Sequence, residues 1–286
     1  MKSDLTRLAP KDFPPLLHEI PQPPKQLYLR GTVPPTDWKW LAVVGSRALS
    51  SYGKQACEYL LEGLRGYPVV IVSGLAYGAD ACAHKAALNA GLPTVAVPGS
   101  GLDYSIMYPK AHVSLAKEII TAGGAHLSEF EPHEEARDFM FPTRNRIVVG
   151  LCSAVLIIEA KEKSGSLITA KLTTDYNRDL LVVPGSIFSA TSKGTHQFLK
   201  LGAQAVTEPG DILKTLGLEE RTAGAVTERL DLSKEECRVL EIIAQPASRD
   251  EVLSQLELPI QDANVLLSMM EIKGLITEEL GVIRVV

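Results

Sequence analysis

No apolar run in this 286-residue sequence approaches the roughly 20 residues of a membrane span, and the opening Met1-Lys2-Ser3-Asp4-Leu5-Thr6-Arg7 lacks the apolar core of a signal peptide. A cytoplasmic protein with no membrane partner is expected. Cysteine is scarce: Cys57, Cys82, Cys152 and Cys237 stand apart without a Cys-x-x-Cys, and three of them fall within apolar helical or strand patterns. That pattern suits reduced, buried thiols, so neither a disulfide framework, a bound metal nor a cofactor is expected. An excess of basic charge is also missing. The net charge of −5 argues against a generally basic nucleic-acid binder. The deficit is local: from Leu232 to Val286, five basic residues (Lys234, Arg238, Arg249, Lys273, Arg284) face ten acidic ones, leaving residues 1–231 neutral. Any anion must therefore be held by a local basic cluster in the larger part.

Proline, by contrast, crowds the first 40 residues, in Phe13-Pro14-Pro15, Pro21-Gln22-Pro23-Pro24 and Pro34-Pro35. Fixed φ angles and missing donors exclude a regular helix or a central strand there. Residues 1–39 are predicted to form an extended arm lying on the main domain, with Leu27-Tyr28-Leu29-Arg30-Gly31 as an edge strand. From Trp40 onward the pattern alternates. Strands are predicted near 41–44, 69–72, 94–97, 125–128, 154–158, 180–183 and 204–206, and helices over 51–65, 79–90, 109–122, 143–150, 166–178 and 194–201. The almost wholly apolar strands, such as Val69-Val70-Ile71-Val72, imply a sheet covered on both faces. The class is α/β: an extended Rossmann-like, doubly wound, mainly parallel sheet over residues 40–217. Residues 218–231 read as a linker. Residues 232–286 hold three short helical patterns, at 234–244, 248–256 and 260–273, and a terminal hairpin around Gly281, which together predict a small winged-helix domain.

The chemistry concentrates where strands end. Leu41-Ala42-Val43-Val44 runs into Gly45-Ser46-Arg47 and then a helix beginning near Ser50, a strand-to-helix turn whose free amides can dock a phosphate. Gly45 allows close approach, Ser46 or Ser50 offers a hydroxyl, and Arg47 a guanidinium fork. Similar small residues follow other strands: Ser73-Gly74, Gly99-Ser100-Gly101, Ser164-Gly165-Ser166 with Lys171 further along the helix, and Gly185-Ser186. In open α/β sheets ligands bind beyond the carboxyl ends of the strands, so these residues predict an extended rim of amides and hydroxyls. Phe139-Met140-Phe141-Pro142-Thr143-Arg144-Asn145-Arg146 places aromatics beside arginines at a helix start, the stacking-plus-cation pattern of single-strand binders. Phe141, Arg144, Asn145 and Arg146 are candidate ligand contacts. For Arg146, an ion pair with Glu129, Glu131 or Glu159 is an equal alternative.

These motifs occur in a known order. Gly45-Ser46-Arg47 with Tyr52-Gly53, Ser73-Gly74-Leu75-Ala76 through Asp80 and His84, Gly101-Leu102-Asp103 with Tyr108-Pro109, Phe141-Pro142-Thr143-Arg144-Asn145-Arg146-Ile147, Glu159-Ala160 with Ser164-Gly165-Ser166-Leu167, and Val183-Pro184-Gly185-Ser186 resemble the DNA-processing protein A family over residues 13–215. The resemblance implies a single-stranded DNA-binding protein that shields incoming DNA during natural transformation and loads the RecA recombinase. It further implies a homodimer formed through the Rossmann-like domain, a basic DNA pocket that includes Arg47, and no catalytic activity. The chain departs from the family pattern at Tyr77, where arginine is common, and at Cys152, where serine is common.

Other residues carry rival readings. His84 lies four residues beyond Asp80 and reads as a helix-stabilising hydrogen-bond partner rather than a proton-transfer group. Asp103, Glu129 and Glu159 read as carboxylates that orient Arg47, Arg144 or Arg146. The would-be recognition helix, 260–273, has only Lys273 as a cation, so a protein-contact role is expected for the acidic terminal domain. The alternative function is a nucleoside monophosphate phosphoribohydrolase, but Ser164-Gly165-Ser166-Leu167-Ile168-Thr169 lacks the glutamate that such a site needs.

Overall fold

The computed structural model describes residues 5–162, 164–219, 233–243, 247–256, 258–279 and 281–285. The chain divides into two compact units, one up to Leu218 and one from Glu219. Most of the predicted linker lies outside the described residues.

In the first unit the apolar runs become strands β1 (Leu5–Leu8), β2 (Leu27–Gly31), β3 (Lys39–Val44), β4 (Val69–Ser73), β5 (Thr94–Ala96), β6 (Ala125–Ser128), β7 (Ala154–Ile157), β8 (Asp179–Val182) and β9 (Gln204–Ala205). They form one nine-stranded sheet in the order β1-β2-β6-β5-β4-β3-β7-β8-β9. The pairs from β6 through β9 are parallel, while β2 runs antiparallel to both β6 and β1. Leu27–Gly31 is therefore not the edge strand predicted from its prolines. Its Leu27 and Leu29 are buried, and the edge passes to β1, whose four residues are all partly or fully exposed.

Both faces of the sheet are apolar because neighbouring residues of each strand point to opposite sides. In β3, Trp40, Ala42 and Val44 pack with α4 (Met140–Gly150) and α5 (Ser166–Asp175), while Leu41 and Val43 pack with α1 (Ser51–Glu62), α2 (Ala79–Asn89) and α7 (Pro209–Thr215). A smaller cluster seats α3 (Val113–Thr121). The proline-rich arm completes the α4 face: Phe13, Leu17 and Ile20 are buried in it, and a Cβ at Gly150 would stand 2.9 Å from Ile20 and Leu17. Arg178 fastens the arm by donating to the Leu16 carbonyl and pairing with Glu19 at 2.7 Å. After β8 the chain forms α6 (Lys193–Lys200) before reaching β9.

Strand order reverses at β3. The chain moves outward through β4, β5 and β6, then returns to β7 on the other flank of β3. Such a reversal parts the loops above β3 and β7 and opens a crevice at their carboxyl ends.

The second unit contains α8 (Lys234–Ile242), α9 (Arg249–Gln255) and α10 (Ile260–Ile272), with β10 (Ala247–Ser248), β11 (Ile276–Glu279) and β12 (Val282–Val285) in the sheet order β10-β12-β11. Ser233 and Glu236 cap α8 reciprocally, and Ser248 and Glu251 do the same for α9. Val239, Val252, Leu267, Met270 and Ile283 form its core. No helix among the described residues is long and apolar enough to cross a membrane.

Candidate nucleic-acid interface

A cleft of about 560 Å³ lies above the β3/β7 reversal. Gly45, Ser46 and Arg47 from the end of β3 line one side, Phe141, Arg144 and Asn145 from α4 another, and Ser164, Gly165 and Ser166 at the start of α5 a third. Sequence motifs separated by more than a hundred residues thus meet in one place. The cleft also takes Lys161 and Asp138, which the motif reading overlooked. Lys161 was legible by the same strand-end rule, since it follows β7 by a few residues.

Each wall has a physical reason. Gly45 is required for packing: a Cβ there would stand 2.8 Å from that of Ala79 and 3.1 Å from the Glu159 carbonyl. Ser46, almost buried, closes its own turn by donating to the Ala48 carbonyl. Arg47 remains exposed and lays its guanidinium over the Phe141 ring, 5.1 Å from the centroid. Tyr108 flanks Phe141 with ring centroids 5.7 Å apart, and Gly99 lies beneath, where a Cβ would come within 2.5 Å of the Phe141 ring. This aromatic wall ends in a cation.

Arg144 differs from Arg47 although both reach the cleft. Only 4% of Arg144 is exposed, and its guanidinium donates to the carbonyls of Gly74 and Val97 at the ends of the β4 and β5 strands. A Cβ on Gly74 would overlap that guanidinium at 2.2 Å, so the glycine makes room for it. Burial holds the Arg144 pKa down to about 10; Asp80 opposes the shift and the neighbouring Arg47 charge adds to it. Asp80 is buried as well, and burial pushes its carboxyl up while Arg144 pulls it back. The carboxylate whose charge acts on Arg144 is thus Asp80, rather than Asp103, Glu129 or Glu159. The His84 ring turns to another partner, bonding Thr94 Oγ1 at 2.8 Å.

The helix start at Ser50 is not free for a ligand anion. Glu159, 3% exposed, occupies it: its carboxylate accepts from the Ser50 amide at 2.9 Å, the Ser50 hydroxyl at 2.5 Å and the Thr191 hydroxyl at 3.0 Å. The positive end of the α1 dipole is therefore neutralised from within. Glu159→Ala is expected to cost about 3 kcal/mol of stability through these lost charge-assisted bonds, measured as the unfolding midpoint in urea. The start of α5 is different. Its N-cap, Gly165, makes no side-chain cap, nothing lies within 4 Å of a Cβ built there, and Ser166 lines the cleft. That terminus presents its first amides to whatever enters.

The remaining candidates fall elsewhere. Arg146 pairs with Glu129 and donates to the Gln22 carbonyl of the arm, outside the cleft lining. Ser73 spends its hydroxyl on the Val43 carbonyl at 2.6 Å. Gly101 packs against the Glu131 and Pro132 carbonyls, where a Cβ would lie within 2.4 Å of both. Lys171 is exposed on α5 but does not line the cleft. Gly185 and Ser186 belong, with Ser50 and Tyr52, to a second hollow of about 530 Å³ over Glu159. The predicted extended rim thus falls into two hollows, the second of them lined by Glu159.

The model of the DNA recombination-mediator protein A family matches residues 4–217. The DNA processing protein DprA of Streptococcus pneumoniae is 44% identical over 199 residues, covering 69% of this chain and 68% of that protein. Protein Smf of Escherichia coli is 41% identical over 212 residues, which cover 73% of this chain but only 56% of Smf. Among solved structures, DNA processing protein A of Helicobacter pylori, described for its single-stranded DNA binding mode, superposes with a TM-score of 0.65 at 32% identity over 74% of this chain and 95% of that one. The chain belongs to the DNA recombination-mediator protein A family.

Proposed function

We propose that the protein binds single-stranded DNA in the cleft above the β3/β7 reversal and acts there as a recombination mediator, shielding the strand and passing it to the RecA recombinase in the cytoplasm. The observation that carries this reading is the Arg47–Phe141 stack facing the uncapped start of α5. A single strand offers unpaired bases that can stack on Phe141 or Tyr108, and phosphates that Arg47, Lys161 and the α5 amides can hold. A duplex keeps its bases stacked inside and cannot fill the aromatic wall in this way. Arg144 contributes fixed positive charge and a rigid wall, while Lys171 would meet phosphates beyond the cleft.

The homodimer is assigned to the sheet unit, where Ile187, Phe188 and Leu201 flank α6 with 74%, 92% and 82% of their surfaces exposed. The second unit is read as a winged helix whose acidity turns it away from duplex backbone. Arg47→Ala and Phe141→Ala are each expected to weaken binding of a fluorescent single-stranded oligonucleotide by about 1–3 kcal/mol, or roughly 5- to 150-fold, in an anisotropy titration. Unchanged affinity in both variants would remove the cleft from the binding path.

A further inference from the structure

We propose that the C-terminal unit is a docking module for a basic amphipathic helix of a partner protein, seated in the groove between α10 and the start of α8. The inference is independent of strand binding by the sheet unit. Val265, Met269 and Ile272 stand at i, i+4 and i+7 on α10, so they form one stripe, and they are 63%, 49% and 82% exposed. Beside this stripe lies a groove of about 410 Å³ floored by Leu258, Val265, Leu266 and Met269. A core helix would bury such a stripe, and its exposure marks a contact surface. Methionine at its centre adapts to side chains of varied shape.

Charge selects the occupant. Glu235 and Asp262 rim the groove, and the first-turn amide of Glu235 together with Ser233 holds the Glu235 carboxyl below its ordinary range, so it is anionic at neutral pH. The cation of the groove, Lys273, is spent on Glu236 at 2.6 Å. A nucleic-acid backbone would meet net negative charge here. A second copy docking through the same face would oppose carboxylate to carboxylate. A helix with leucine-type residues at i, i+4 and i+7, flanked by lysine or arginine, satisfies both the apolar floor and the acidic rim.

The test uses the full-length chain and a fluorescein-labelled 18-residue Leu/Lys helix with that spacing, its Leu/Glu counterpart, and a duplex oligonucleotide. Micromolar binding of the basic helix is expected, at least tenfold weaker in M269S/I272S and about threefold weaker in D262N at low salt. The substituted positions are exposed, and circular dichroism melting of each variant establishes that it is folded. Equal affinity of wild type and M269S/I272S for the basic helix, or of wild type for both peptides, would overturn the proposal. So would duplex binding, or self-association in sedimentation, that M269S/I272S abolishes.

Discussion

Arg144→Ala is expected to lower the unfolding free energy of the sheet unit by about 3 kcal/mol, because it strands the buried carbonyls of Gly74 and Val97 that the guanidinium joins. It also removes the positive charge that draws the buried Asp80 carboxyl back toward its ionised form. Arg144→Lys is expected to recover only part of the loss, since a single ammonium lacks the planar fork that reaches both carbonyls. Arg47→Ala provides the contrast. Arg47 is exposed and, among the described residues, its guanidinium lies over the Phe141 ring, so its removal is expected to change stability by less than about 0.5 kcal/mol while weakening strand binding. Urea unfolding and oligonucleotide titration on the two variants separate these roles. Equal stability of both variants would refute the division of labour between the arginines.

Acid is the second strong lever. His84 and His126 are fully buried, and desolvation holds their pKa values down to about 3 and about 4. His84 Nδ1 lies 2.8 Å from Thr94 Oγ1, whose hydroxyl also bonds the Ile71 carbonyl. In the unfolded chain both rings titrate near 6.5. Below that pH the unfolded state binds protons that the folded state refuses, so stability is fullest above about 6.5 and falls as pH drops toward the folded values. Each histidine costs about 1.4 kcal/mol per pH unit in this window, or about 5 kcal/mol for the pair between pH 6.5 and 4.5, comparable to the net stability of a domain. Urea midpoints at pH 7 and pH 5 measure the slope, and His84→Asn, which can keep a bond to Thr94, is expected to reduce it. A midpoint that does not move between these pH values would show that the rings are not held neutral by burial.

Strands and rim residues can be read from the sequence, whereas tertiary partners cannot. Strands such as Val69–Ser73 were legible because a run of branched apolar residues has no other soluble home, and the order of glycine and hydroxyl residues after them located the rim. The edge strand β1 was not, because Leu5-Thr6-Arg7-Leu8 is half-exposed and carries no clear alternation. Helix α7 was missed because Pro209-Gly210 reads as a turn until the reciprocal Glu208/Asp211 cap is seen. Within the site, neighbouring residues in sequence separated into different tasks: Arg144 turned inward to Gly74 and Val97, and Arg146 toward Glu129 and the arm. Helical spacing sets such directions, but the partners are fixed only by tertiary contacts. The same holds for Glu159, whose bond to Ser50 spans 109 residues and removes the anion site that the local turn alone implied.

The central claim is that the cleft holds a single strand by stacking and phosphate contact. The most direct measurement is the affinity of the full-length chain for a single-stranded oligonucleotide and for duplex of the same sequence across a salt series. Preference for the single strand is expected, with log K falling against log salt by about 0.7 for each phosphate held, and a shallower slope in Arg47→Ala. Failure to bind single strands at low salt, or equal affinity for duplex, would contradict it and make release of free base from nucleoside monophosphates the next activity to assay.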